Sequence, residues 1–261
     1  MNRIAKLFSG EKKNILSIYF TAGFPGLNDT GEILHALQKH GADLVEIGMP
    51  YSDPLADGPV IQHSSMIAIH NGITIRLLFE QLKACRNNIH IPLILMGYLN
   101  PVMQYGIENF CRDARNAGID GIILPDLPLQ EYEAEYKVIF QKYDLHFVFL
   151  ITPETSEGRI RKIDEAGTGF IYAVSSSSIT GTEKDLAAQE SYFQRLKQMN
   201  LSNKIMVGFG IRDHKTFAQA CKHAAGAIIG TAYIKTLENS VNIDEDTQKF
   251  LNSILQPEIV S

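Results

Sequence analysis

Eight short apolar runs, each followed by a stretch of helical periodicity, divide this chain into strand–helix units and leave few folds open to it. The runs are Ile15–Thr21, Leu44–Met49, Pro92–Tyr98, Gly121–Leu124, His146–Ile151, Gly169–Val174, Ile205–Gly208 and Ala227–Gly230. Several are nearly continuous β-branched or aliphatic sequences, the pattern of parallel strands covered on both faces. Between them, Ile107, Phe110, Cys111 and Ala114 fall at i, i+3, i+4 and i+7 and predict one helical apolar stripe. Tyr132, Tyr136, Ile139 and Phe140 predict a second, and Phe193 and Leu196 begin a third. Gly41, Gly118 and Gly167 stand where left-handed caps would close helices. No linker, charge block or low-complexity tract intervenes. Eight βα units in 261 residues predict a single (β/α)8 TIM barrel, one α/β domain over 1–261, in preference to an open doubly wound sheet. Met1–Phe8, with Ile4, Leu7 and Phe8 on one face, predicts a short N-terminal helix covering the barrel floor.

Composition removes several classes of function. A net charge of −5 with 20% charged residues offers no basic face for nucleic acid and no polybasic membrane tether. The apolar runs are well short of the roughly 18 residues that cross a bilayer. The first residues, MNRIAKLFSGEKKN, lack the apolar core of a signal peptide, so a cytoplasmic location is expected. Cys85, Cys111 and Cys221 are far apart and odd in number, which predicts structural thiols in a reducing compartment rather than disulfides or a metal site.

In such a barrel the chemistry sits on the loops after the strands. Strand alternation puts Leu44, Glu46 and Gly48 on one face and Val45 and Ile47 on the other, so Glu46 points into the barrel. A buried carboxylate without partners gains a proton, and its raised pKa makes it a candidate general acid/base. The alternative is a Glu satisfied by a buried hydroxyl or backbone donors. The following loop, Met49 to Pro59, is stiffened by three prolines and presents Asp53 and Asp57. Spacing does not decide which of the two acts with Glu46. At the ends of three consecutive later strands stand Thr180-Gly181, Gly208-Phe209-Gly210 and Gly230-Thr231. Their backbone N–H groups and hydroxyls suit a phosphate held by dipoles rather than by lysine. No lysine ends a strand, which disfavours imine chemistry, and no metal-spaced histidine pair lies at that rim. His63 follows strand 2 but reads better as a helix-surface residue. Nucleotide and dinucleotide fingerprints are missing from the sequence.

The run from Leu44 to Gly58, LVEIGMPYSDPLADG, closely resembles the signature of the tryptophan synthase alpha chain family. The resemblance extends through Thr21-Ala-Gly-Phe-Pro25, Asn100-Pro101, Pro125-Asp126-Leu-Pro128, Thr180-Gly181, Gly208-Phe-Gly-Ile211 and Gly230-Thr231. It implies cleavage of indole-3-glycerol phosphate to indole and glyceraldehyde 3-phosphate, the step that supplies indole for L-tryptophan biosynthesis. It implies an α2β2 complex, with no cofactor in this chain and pyridoxal phosphate in the beta subunit. By resemblance, Glu46 moves protons and Asp57, rather than Asp53, holds charge on the indole ring. Tyr19, Met96 and Tyr172 match the ring pocket; Thr180, Gly181, Gly210, Gly230 and Thr231 match the phosphate loops. Asp53, Pro54 and Asn100 match positions facing the beta subunit. One departure concerns Ser176 and Ser178, which stand where family members commonly carry arginine and glycine. Two rival readings are an enzyme of the same chemistry acting without a partner and a catalytically inert barrel kept as a scaffold.

Overall fold

Among the described residues, nine parallel strands carry the architecture: β1 Ile15–Thr21, β2 Leu44–Gly48, β3 Leu93–Met96, β4 Gly121–Ile123, β5 His146–Phe147, β6 Leu150–Ile151, β7 Phe170–Val174, β8 Lys204–Gly208 and β9 Gly226–Ile229. The computed structural model describes residues 1–174, 183–208 and 210–256, with side chains left out for 183–189. The strands hydrogen-bond in the order β5-β4-β3-β2-β1-β9-β8-β7-β6. The two ends of that series are consecutive in the chain, and together they occupy the predicted fifth strand. Along it the backbone alternates between neighbours, as an extended chain must. His146 N–H and Val148 N–H donate to Asp120 and Ile122 on one side, both at 3.0 Å. Phe147 and Phe149 carbonyls accept from Thr168 and Tyr172 on the other, at 3.1 and 3.0 Å. The Phe147 N–H turns to the Thr168 hydroxyl instead of a backbone carbonyl, at 3.2 Å. The expected single strand is therefore divided between two partners, and it closes the sheet into an eight-position barrel.

Two layers of core follow from the alternation. Val45, Ile47, Leu95, Ile122, Ile171 and Val207 point outward into the shell beneath the helices. Ile15, Leu44, Ile94, Ile123, Val148, Phe170, Met206 and Ile228 fill the barrel interior as a separate cluster. The predicted helical stripes are in place. Phe110, Cys111 and Ala114 are buried, as are Tyr132, Tyr136 and Phe140, while Ile107 and Ile139 pack on them partly exposed. Phe193 and Leu196 are buried too. Cys111 is buried and Cys85 and Cys221 are half-buried, all as free thiols. Among the described residues no helix is long and apolar enough to cross a membrane.

The N-terminal helix, Arg3–Ser9, closes the floor. Asn2 accepts the Ile4 N–H at 2.9 Å and donates to the Asp120 and Asp144 carbonyls, each at 2.9 Å. Ile4 enters the interior cluster between Gly121 and Gly169, where an added Cβ would meet it at 2.7 and 2.9 Å. Beneath it, fully buried Asp120 accepts from Arg86 at 2.9 Å and from Arg3 at 3.0 Å. One expected cap differs. Gly41 and Gly118 take positive φ, but Gly167 is extended at φ −75°. Its Cβ would meet the Ile163 carbonyl at 2.9 Å and the Phe149 ring at 3.2 Å, so glycine is needed there for space. The left-handed residue of that turn is Gly169.

Candidate active site

Glu46 lies in the middle of β2, fully buried and facing inward between Leu44 and Gly48. Its Oε1 accepts a hydrogen bond from the Ser17 hydroxyl of β1 at 3.1 Å. Its Oε2 is buried and has no hydrogen-bond partner among the described residues. Burial pushes the carboxyl up to about 8, against a smaller opposing effect of the Ser17 bond. Both alternatives for this residue thus hold in part: one oxygen is satisfied by a buried hydroxyl and the other is left for a proton or a substrate.

That proton has a consequence for stability. The folded chain keeps it well above the ordinary value of 4.5, whereas the unfolded chain releases it there. The native state therefore binds more protons across this window, and the contribution of Glu46 to stability falls as pH rises from 4.5 through about 8. Above that it is flat. We expect the urea midpoint of Glu46→Gln to gain on the wild type between about pH 5 and about pH 8. A difference independent of pH would refute the burial argument.

Two tyrosines flank this carboxyl group, and each leans over a glycine one step further along the neighbouring strand. A Cβ on Gly48 would come within 2.1 Å of the Tyr19 hydroxyl, and one on Gly208 within 2.2 Å of the Tyr172 hydroxyl. Both phenols are shifted above their usual range, chiefly by burial and further by the negative charge of Asp57 and Glu46, so they remain neutral. Both line the cleft beside Glu46.

Asp57 is carried by the proline-stiffened loop after β2 and is half-buried at the rim. The Tyr98 hydroxyl donates to Asp57 Oδ2 at 3.1 Å and accepts the Ala56 N–H at 3.0 Å. Burial raises the Asp57 pKa and the Tyr98 bond lowers it. Tyr98 is held in turn because the Asp126 carboxylate binds the next N–H, Leu99, with both oxygens at 3.0 Å. Pro59 then starts the helix Pro59–His70 at its first position, where a missing N–H costs nothing.

Across the barrel mouth, Gly210 has φ +75°, a left-handed conformation that glycine adopts without strain. Gly230 caps the helix Thr231–Glu238, whose first N–H groups have no intrahelical acceptors and form the positive end of its dipole. Thr180 and Gly181, with Ser176, Ser178 and Phe209, lie outside the described residues. Tyr19, Asp57, Met96, Tyr172, Gly210, Gly230 and Thr231 together line one cleft open to solvent. Seven expected residues thus meet in one place, joined by Ile61, Ile211 and Ile228. Glu46 sits behind this lining, next to Tyr19 and Tyr172.

Asp53 and Asn100 are exposed outside the cleft and Pro54 is half-exposed. Ser52 donates to Asp53, and Asn100 donates to the Tyr51 hydroxyl at 3.0 Å. Leu55, 88% exposed, and Met103, 57% exposed, give this rim an apolar surface. His63 is on the helix surface, 3.5 Å from Glu238, as expected. Ser17 and Tyr98 were not anticipated. Their signals are an isolated serine on the inward face of an apolar strand and a tyrosine opening the loop after β3.

The class that fold and site define is a parallel (β/α)8 barrel with one carboxyl group buried in a strand and a second at the same rim. Within that class the match is specific: the family model described as tryptophan synthase alpha chain covers residues 5–258. A tryptophan synthase alpha chain of Phocaeicola vulgatus is 54% identical over 257 residues, 98% of each chain. One from Flavobacterium johnsoniae is 56% identical over 241 residues, 92% of this chain and 95% of the other. The crystal structure of tryptophan synthase subunit alpha from Legionella pneumophila superposes with a TM-score of 0.86 at 37% identity, covering 97% of both chains. A chain of the tryptophan synthase complex of Pyrococcus furiosus gives 0.85 at 34% identity, covering 94% of this chain and 98% of that one. The chain belongs to the tryptophan synthase alpha chain family.

Proposed function

We propose that this chain cleaves indole-3-glycerol phosphate to indole and glyceraldehyde 3-phosphate, with Glu46 as acid/base and Asp57 as the charge-holding group. The observation that carries the reading is the half-satisfied carboxyl group of Glu46, pushed up to about 8 beneath a tyrosine-walled cleft that has Asp57 at its rim. At neutral pH Glu46 holds a proton, which it delivers to indole C3. The ring nitrogen then bears positive charge, and its N–H donates to Asp57, whose ionised form stabilises that charge. The Glu46 carboxylate next takes the proton of the glycerol hydroxyl next to the ring. As the carbon–carbon bond breaks, its electrons return to the ring, the hydroxyl carbon becomes the aldehyde, and Glu46 is protonated again. No imine or metal is required, because the indole ring is itself the electron sink.

Gly210, Gly230 and Thr231 would hold the phosphate through backbone N–H groups and the helix N-terminus, and Thr180 and Gly181 complete this set in the sequence. Tyr19, Met96 and Tyr172 would enclose the ring. The domain is read as one unit over 1–261, acting in the cytoplasm, with no cofactor of its own. Its product passes to a tryptophan synthase beta subunit in an α2β2 complex, where pyridoxal phosphate belongs. Asp53, Pro54 and Asn100 lie on the exposed rim expected to meet that subunit.

The test is steady-state indole release from indole-3-glycerol phosphate with and without a beta subunit. Release without stimulation, and no complex on gel filtration, would support the solitary enzyme instead. No release under either condition would support the scaffold reading. We expect Asp53→Asn to keep most of the basal rate while losing at least half of the stimulation by the partner. Basal activity falling as far as in Asp57→Asn would show that the two aspartates had been exchanged.

A further inference from the structure

Ser17 lies on the inward face of β1, which also presents Ile15, Tyr19 and Thr21. It is fully buried, and in the β1–β2 register it pairs with Leu44, two residues before Glu46 and one layer closer to the floor. It therefore approaches the Glu46 carboxyl group from below, away from the cleft, and is not part of the cleft lining. The other titratable groups around Glu46 are Tyr19 of β1, Tyr172 of β7 and Asp57 at the rim; the β3 residue paired with it is apolar Ile94.

We propose that Ser17 is a positioning residue for the acid–base group: by donating to Oε1 it fixes the carboxyl orientation and makes Oε2 the oxygen that carries and exchanges the proton. The inference rests on Glu46 being the acid/base of the proposed reaction. A protonated carboxyl group has one hydroxyl oxygen and one carbonyl oxygen, and a donating serine is accepted by the latter. Oε1 is so occupied at 3.1 Å, whereas Oε2 is buried with no partner among the described residues. With Ser17 removed, either oxygen can carry the proton and the group can rotate. Substrate affinity is untouched, because the hydroxyl does not reach the cleft. The same bond favours the ionised carboxylate, so its loss moves ionisation to higher pH.

The experiment compares Ser17→Ala and Ser17→Thr with the wild-type full chain. It measures kcat and KM for indole release against pH. Independently, it titrates the infrared band of the protonated Glu46 carboxyl group, identified by its loss in Glu46→Gln. In Ser17→Ala we expect kcat to fall about tenfold with KM within about twofold. The basic limb and the band midpoint should both move up by about 0.5 to 1 on the pH scale. Ser17→Thr, which keeps the hydroxyl, should restore both. Should Ser17→Ala not fold, Ser17→Cys, with a weaker donor, is expected to give a smaller shift in the same direction. An unshifted midpoint in the folded variant, or a kcat loss that Ser17→Thr fails to rescue, overturns the proposal. Full turnover by Glu46→Gln would instead overturn the assignment of Glu46, whatever the infrared midpoint of Ser17→Ala.

Discussion

Replacing Glu46 with Gln is expected to cut kcat for indole release by about 10⁴-fold, the upper part of the range for one acid–base group. In the proposed reaction two proton transfers pass through the same carboxyl group, delivery to C3 and removal of the hydroxyl proton. Gln has the same shape and can still accept the Ser17 hydroxyl, but it neither gives nor takes a proton. Substrate affinity should stay within about threefold, because Glu46 lies behind the cleft lining and the phosphate and ring contacts lie elsewhere. The variant should also fold well, since an amide avoids the cost of a buried charge at high pH. Single-turnover kinetics with a separate binding measurement distinguishes the effects. Turnover within tenfold of the wild type would remove Glu46 from the mechanism.

Asp57→Asn is expected to cost about 10²–10³-fold in kcat, as for loss of an electrostatic group aimed at developing charge. Asn can still accept one hydrogen bond, but it bears no charge to oppose the indolium. It also has one oxygen where Asp57 has two, and the Tyr98 hydroxyl already donates to one of them at 3.1 Å. Either Tyr98 or the indole N–H then meets an amide donor. The pH profile separates the two carboxyl groups. The proposed reaction requires Asp57 ionised and Glu46 protonated, so the acid limb is expected to belong to Asp57, whose pKa burial has raised. The basic limb lies near the Glu46 value of about 8. Asp57→Asn should erase the acid limb and leave the basic one. Loss of the basic limb in this variant would reverse the two roles.

The parts of this site that were legible in the sequence are those set by local periodicity. Period-two alternation over Leu44–Gly48 sent Glu46 inward without any knowledge of its neighbours, and the glycine pairs after the later strands marked the opposite rim. The contacts that tune the carboxyl groups were not legible, for a different physical reason. Ser17 and Tyr98 reach their partners across 29 and 41 residues of chain, through a strand register and a loop conformation that exist only once the barrel closes. The same holds for the floor, where Arg86 and Asp120 meet across 34 residues. Gly167 shows the limit from the other side. Its position after a helix matched a left-handed cap, yet packing against the Phe149 ring and the Ile163 carbonyl required the small residue in an extended conformation. The choice of Asp57 over Asp53 came from the family motif, and the geometry is in keeping with it: Asp57 lines the cleft, while Asp53 faces solvent and bonds Ser52.

The division of labour between the two carboxyl groups depends on how the substrate lies. The most direct measurement is a crystal structure of Glu46→Gln with indole-3-glycerol phosphate bound. The account predicts the ring between Tyr19 and Tyr172, with its N–H on Asp57 and its C3 beside the residue-46 amide. The phosphate should lie against Gly210, Gly230 and Thr231. A ring whose N–H points to residue 46, or a phosphate bound away from the Thr231 helix, would contradict it.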